Sequence, residues 1–440
     1  MMKLSKAISI LLILSLCFTF TSCSVNPEKY AVALGAQKMN VRYEDSQQEG
    51  YGAFIDKLDS FASKLTYAVY SDSNKKNNIC ISPVSVYMAL ALAAECANGD
   101  TRDEILNAVG VTYEEVSNFT KVLYAFSNCE FKYTNILGNQ KILAFEELAN
   151  SIWADKSITL KETGIQNLAS NYNCDLFSVD FETGEAEKAI NAYIKDKTHG
   201  IIDSNIELPP KTLITLINTL YLKEVWNEDG DALKFTEKAY GFRNADGNIT
   251  NTKLLQGYYF NGNVYEGDGY TSFYTRTDHS YDIKFIVPAE GHTLAEVFTG
   301  ENIYNINNLG DYGYIDEENK LLHHTRVFFP EYKASFDGDL AEILKNDFGI
   351  EKLFDLEQCD FSNITDENVA CGGVIHKSSI EVNDRGIEGA AVTVMPMAGA
   401  AGPLEGYEKV YHNYIVDKAF GFVITDRYGT VIFSGVVNTI

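Results

Sequence analysis

The chain has 440 residues and a net charge of −25, with 22% of residues charged and 45% hydrophobic. So acidic a surface repels phosphate backbones and anionic headgroups, which excludes nucleic acid as a partner and leaves a lipid anchor as the route to a membrane. The length is enough for a large core and by itself allows two or three domains.

Residues 1–22 read as a lipoprotein-type signal peptide. MMKLSKAISILLILSLCFTFTSCS carries two lysines, then an apolar run from Ile8 to Leu16 too short to span a bilayer, then small residues leading to Cys23. FTSC resembles the cleavage site of bacterial lipoproteins, with Phe20 where that pattern usually has Leu, and makes Cys23 the lipidated first residue of an extracytoplasmic protein. A plain signal peptide with an incidental cysteine is the other reading. Residues 23–49 are polar and aperiodic, as a tether would be.

A helical period begins at Phe54 and places Leu58, Phe61, Leu65 and Val69 on the same face. Ser82 before Pro83 predicts a helix start with the serine oxygen as cap, and the apolar run that follows ends near Asn98 and Gly99. A second helix is predicted from Thr101, with Glu104 completing a capping box and Gly110 closing it. LITLINTLYLKEVW reads as a strand covered on both faces, in which Asn218 must find buried partners. FGFVITDRYGTVIFSGVV reads as two strands around a turn at Asp426 to Gly429. Helices and strands mix without regular alternation, so the fold class is α+β.

The chain contains no GxSxG elbow, HExxH, Walker loop, GxGxxG or EF-hand loop, and so offers no positive sign of catalysis. Among seven histidines only His323 and His324 are adjacent, and a surface turn accounts for them. Cys80, Cys96, Cys129, Cys174, Cys359 and Cys371 are scattered and form no CxxC pair, which suits buried free thiols.

NICISPVSVYMALALAAECANGDTRDEIL, INTLYLKEVW, RVFFPEYK, GIEKLFD, DFSNIT and VIHKSSIEVNDRG, in that order, resemble the serpin family over about residues 50–440. VDKAFGFVI departs from the family's C-terminal signature, with Ala419 where proline is usual and Gly421 where an apolar side chain is usual. The resemblance implies a single domain over 50–440, with three β-sheets, eight or nine helices and an exposed reactive loop. No cofactor or metal is indicated by the sequence, and a monomer is expected, although the sequence leaves the oligomeric state open. The resemblance also assigns Ser82, Ser85, Asn218 and His376, with Trp226, to the shutter and breach where a sheet opens.

DRGIEGAAVTVMPMAGAAG, from Asp384, matches the family's hinge and loop: Asp384, Arg385, Gly386, Ile387, Glu388, Gly389, Ala390, Ala391, Val392 and Thr393 form the hinge. In strand period Ile387, Gly389, Ala391, Thr393, Met395 and Met397 point one way, and small residues would let the segment enter between two strands. Ile387, where Thr or Ser is usual, is expected to slow the first step, and Ile387→Arg to bury a charge with no partner. Pro396 belongs near the end of the inserted strand. The family register puts the reactive bond at Ala400–Ala401, with Leu404, Tyr407 or Lys409 competing because the stretch is longer than usual. The implied function is suicide inhibition of serine proteases with small apolar specificity pockets, of the elastase or subtilisin kind, by a protein that is not itself an enzyme. The alternative is a non-inhibitory serpin, a surface binding or protective protein cleaved as a plain substrate.

Overall fold

The helical face that begins at Phe54 becomes a 22-residue helix whose Phe54, Leu58, Phe61, Leu65 and Val69 are all buried. The structure is a computed structural model and describes residues 27–38, 49–134, 140–202, 205–206, 208, 212–226, 232–257, 264–307, 315–316, 320–387 and 408–440. In chain order come β1 (Val32–Ala33), α1 (Tyr51–Asp72), β2 (Ile79–Ile81), α2 (Pro83–Cys96), α3 (Gly99–Val109), α4 (Tyr113–Phe126), β3 (Asn128–Thr134) and β4 (Gln140–Asp155). They are followed by α5 (Glu162–Tyr172), β5 (Asp175–Val179), α6 (Glu185–Lys197), β6 (Ile214–Val225), β7 (Tyr240–Arg243), β8 (Ile249–Thr252), β9 (Leu255–Gln256) and β10 (Tyr265–Gly267). The remainder is β11 (Tyr270–Arg276), β12 (Asp282–Pro288), α7 (Leu294–Val297), α8 (Gly300–Asn307), β13 (Ile315–Asp316), β14 (Leu321–Phe329), β15 (Tyr332–Asp339) and α9 (Ala341–Phe348). β16 (Ile375–Asn383), β17 (Gly386–Ile387), β18 (Glu408–Ile415), β19 (Phe420–Thr425) and β20 (Val431–Val437) complete it.

Among the described residues these strands make three large sheets and a two-stranded ribbon of β7 and β8. The central sheet runs β1-β5-β4-β6-β17-β16-β15, with β3 also paired to β4; the second runs β10-β11-β12-β19-β20-β2, and the third gathers β13, β14, β18 and β9. α2 is buried almost all round because it packs on both β6 and β20, between the first two sheets. α6 covers the outer face of the central sheet through a second apolar cluster that includes Trp153, Phe177, Tyr193 and Ile217. β6 is therefore buried on both faces, as its apolar run requires.

Several expectations change. Pro83 does open α2, but the Ser82 hydroxyl makes no capping bond and is buried without a partner. α3 starts at Gly99 with no side-chain cap; Glu104 instead accepts from the Glu351 and Lys352 amides and from Lys352 Nζ at 2.6–3.0 Å. A lysine and two free amides from a distant segment outcompete the local box. His323 and His324 lie within β14, not in a turn. Gly421 leaves room for Phe298, whose ring would be 2.4 Å from an added Cβ, so the missing side chain on β19 is replaced from α7's end. The six cysteines are free, with Cys129 and Cys359 half-buried and the others buried.

The segment read as a tether is partly built into the sheet. Val32 and Ala33 pair with Ser178 and Phe177, the Leu34 amide donates to the Leu176 carbonyl at 2.8 Å, and Lys38 meets Asp175 at 2.6 Å. No helix among the described residues is long and apolar enough to cross a membrane.

β20 and β2 approach so closely at Gly435 that an added Cβ would sit 1.8 Å from the Ile79 carbonyl oxygen. Backbone cannot move aside as a flexible side chain can. Gly435→Ala is expected to cost about 3 kcal/mol, checked by thermal unfolding; an unchanged melting temperature would mean that the two strands separate freely there.

Candidate functional site

β16 ends at Asn383, and the chain turns through Asp384 and Arg385 into the two residues of β17. The turn is tied down: the Arg385 amide donates to Asn383 Oδ1 at 2.9 Å, the Asp384 amide to Glu331 Oε1 at 3.0 Å, and the Asp384 carbonyl accepts from the Leu233 amide at 2.6 Å. Trp226, just past β6, donates its indole N–H to the Asn383 carbonyl at 2.8 Å and buries its ring against Phe329. Gly386 pairs with Val225 and Asn383, and a Cβ there would lie 1.9 Å from the Glu224 carbonyl oxygen, so only glycine allows this approach. Ile387 pairs with Glu224 on one side and Val382 on the other and is fully buried. In the intact chain the first rung between β6 and β16 is already made. The apolar side chain of Ile387 is buried within this rung.

Glu224 is a group that sequence reasoning missed. Its side chain is buried; Oε1 accepts from the Val225 amide at 2.7 Å and lies 2.8 Å from His279 Nδ1, while Oε2 has no partner. Burial pushes the carboxyl above its ordinary range, against the pull of His279. The His279 ring stacks on Phe131 with centroids 3.9 Å apart. Glu224 stands directly opposite Ile387 with an unpartnered oxygen, so a guanidinium placed at 387 would lie beside a carboxyl group.

β17 runs antiparallel to both β6 and β16, so those two strands run parallel, and Glu224 and Val382 are level. Six residues further down, Asn218 and His376 are level with one another. Asn218 accepts from the Ser85 hydroxyl and donates to Asn150 Oδ1 at 2.6 Å. Asn150 in turn donates to the Tyr172 carbonyl at 2.8 Å. His376 Nε2 accepts from the Ser82 amide at 3.1 Å, and burial pulls its pKa from 6.5 down to about 4. Accepting that bond requires the neutral ring. The four polar residues thus form two pairs, Ser85 with Asn218 and Ser82 with His376, one on each side of the gap. Asn150 and Ser378, whose hydroxyl donates to the Cys80 carbonyl at 2.6 Å, were not singled out by sequence, since nothing marks them beyond ordinary polar spacing.

Below Gly386–Ile387, no ladder joins β6 to β16 among the described residues. A narrow cavity lies there instead, lined by Leu220, Tyr221 and Leu222 of β6, Ser379 and Ile380 of β16, and the turn after α6. Glu147 on β4 holds that turn, meeting His199 Nε2 at 3.0 Å and Lys197 Nζ at 3.3 Å. Glu388, Gly389, Ala390, Ala391, Val392, Thr393 and the bond Ala400–Ala401 lie outside the described residues, as does Cys23. Among the described residues no group of three His, Cys, Asp or Glu could hold a metal ion.

A family model described as serpin (serine protease inhibitor) matches residues 56–440. Iripin-8 of Ixodes ricinus is 29% identical over 383 residues, covering 84% of this chain and 89% of that protein. Corticosteroid-binding globulin of Ovis aries is 26% identical over 333 residues, covering 74% and 73%. The native-state structure of the thermophilic serpin tengpin superposes with a TM-score of 0.71 at 21% identity, over 93% of this chain and all of that one. A family that consists mostly of protease inhibitors thus also holds a member named for binding a hormone. With the family model spanning residues 56–440, the chain belongs to the serpin family.

Proposed function

We propose that the chain is an exported, lipid-anchored inhibitor that traps serine proteases by inserting its cleaved loop between β6 and β16. The observation that carries this reading is the single rung made by Gly386 and Ile387 above an otherwise unjoined pair of strands. Continuing its register sets Gly389 against Leu222 and Ile380, Ala390 against Tyr221 and Ser379, and Ala391 against Leu220 and Ser378. The residues that line the cavity are thus mostly those that would meet the three small hinge positions after Glu388. Thr393 would arrive between Asn218 and His376. Pro396 would fall opposite Thr215, one residue from the start of β6, and beyond Ile375, where β16 has ended.

Net hydrogen bonds of about 1 kcal/mol each along positions 388–397 sum to the order of 10 kcal/mol, as large as the stability of a typical domain. The serine of a protease attacks the Ala400 carbonyl and the C–N bond to Ala401 breaks; the new amine leaves and the acyl ester remains. Insertion then carries the tethered enzyme roughly 50 Å, at ~3.3 Å for each of about fifteen residues. Its triad tolerates misplacement of little more than about 1 Å, so deacylation stops. Small residues from Met397 to Gly402 favour enzymes with shallow apolar pockets.

Incubation with pancreatic elastase is expected to give a complex that survives SDS, and a released fragment beginning at Ala401. Clean cleavage with full elastase activity would instead support a non-inhibitory serpin. Gly389→Arg would set a guanidinium between Leu222 and Ile380, where no carboxylate waits, and should convert the inhibitor to a substrate; undiminished complex formation would count against the register.

His376 titrates near pH 4 in the fold and near 6.5 when unfolded, so the unfolded chain takes up its proton first. Stability from this group is complete above about pH 6.5 and declines as pH falls toward 4, by about 3 kcal/mol in all. Urea unfolding across that range should show the decline, and His376→Gln should flatten it.

A further inference from the structure

We infer that β1 is a releasable strap: docked, it turns the reactive loop away from the membrane, and on trapping it peels from the sheet edge to make room for the captured protease. The inference rests on the proposed insertion and on lipidation of Cys23.

The register fixes where the chain joins the sheet. Val32 is opposite Ser178, Ser178 is beside Ala154, and Ala154 is opposite Ile214. β1 therefore joins level with the start of β6, whereas the hinge leaves at its end, opposite Val225. The 12 residues of β6 put about 36 Å between the two levels, at ~3 Å per residue of twisted strand. A lipid on Cys23 holds the first of these levels toward the membrane and the loop at the outward one.

The same register brings the trapped enzyme to the membrane side. Inserted Met397 would be level with Ile214, so Ala400 and the protease esterified to it arrive just past that level. Four strand spacings of about 4.8 Å separate that point from β1, or about 19 Å. A protease of roughly 250 residues is about 45 Å across. Between Cys23 and the docked Pro27 only Ser24, Val25 and Asn26 intervene, a reach of about 14 Å. With β1 docked, protease and membrane would occupy the same space. With it peeled, the chain from Cys23 to Tyr51 can reach about 90 Å.

The docking suits such release. β1 is two residues long, and Val32 is 66% exposed. Around it Ala31 and Tyr30 join the outer apolar cluster, Leu34 and Ala36 touch the main core, the Gln37 carbonyl accepts from Gln166 Nε2 at 2.9 Å, and the Lys38–Asp175 pair is open to solvent. Being the outermost strand, it can leave without parting any other pair in the sheet.

The test pins β1 with a disulfide, Val32→Cys with Ser178→Cys, in lipidated protein on phosphatidylethanolamine–phosphatidylglycerol vesicles and in a soluble Cys23→Ser form. Elastase is added, and SDS-stable complex is compared with cleaved, unbound inhibitor. The pinned, anchored protein is expected to lose most of its complex and accumulate the cleaved form. Reduction should restore trapping, and so should a Gly/Ser insertion of about 20 residues after Ser24, whose coil spans roughly 25 Å on average and far more when stretched. The pinned, soluble protein should trap as well as the unpinned one. Equal trapping by the pinned, anchored protein overturns the strap. So does an equal loss in the pinned, soluble protein, which would make β1 a brake on the sheet itself. Mass spectrometry showing no lipid on Cys23 also overturns it. Failure of the unpinned, soluble protein to trap would refute the inhibitor reading, a result separable from all of these.

Discussion

Two parallel strands, β6 and β16, stand side by side with one rung across their top and no ladder below it, and the rest of the molecule is arranged around that gap. Each strand is fully paired on its other side, β6 to β4 and β16 to β15, so neither can close the gap without breaking a ladder already made. Asn218 and His376 beside the gap are each held by a polar partner on their own side, and Leu220, Leu222 and Ile380 there are apolar. A filler must therefore be an extended segment, in antiparallel register with both strands, and small where the cavity is narrow. The chain that continues Ile387 is covalently positioned to supply it, which makes the filling an intramolecular step free of the entropy of association.

Unsatisfied buried atoms accompany this gap. The Ser82 hydroxyl, the Thr219 hydroxyl and Glu224 Oε2 are buried near its edges with no partner. Deeper, Glu146 takes the Tyr281 hydroxyl at 2.7 Å through one oxygen and leaves the other unpaired, and Asp426 leaves Oδ2 unpaired. Burial pushes all three carboxyls upward, Glu146 and Asp59 as far as about 8, so those two prefer their protons at neutral pH. Each such group costs about 1–3 kcal/mol relative to a satisfied one.

What the sequence disclosed follows from which signals are local. Asn218 was legible because an amide inside an apolar strand must be paired wherever the strand lies, and the buried faces of α1 and β6 follow from periodicity alone. The capping box at Thr101 failed because Glu104 had better donors from residues 247 and 248 positions away, which no window contains. Ser82 gave its amide to His376 instead of its hydroxyl to the helix, a choice made by β16. β1 was invisible because backbone bonds hold it, and two residues have no period. Nothing in the sequence marks Glu224 at the end of its apolar strand; its burial comes from the packing around the rung opposite Ile387.

The covering of the gap also sets what the proposed insertion would ask of a strand entering there. α6 and its following turn lie over the outer face, tied to β4 through Glu147, and place Ile201 and Ile202 against the cavity. A residue at position 390 in register with Tyr221 would point toward that turn, while 389 and 391 would point inward at Leu222 and Leu220. Both faces are closed there, so bulk at any of these positions would have to displace either the turn or the core. Further along, opposite Asn218 and Leu216, a threonine and a methionine take the inward positions. A connector with no destination has no reason to be small only where a distant cavity is narrow and to regain size and alternation beyond it. Gly389, Ala390 and Ala391, followed by Val392, Thr393, Val394 and Met395, have that order.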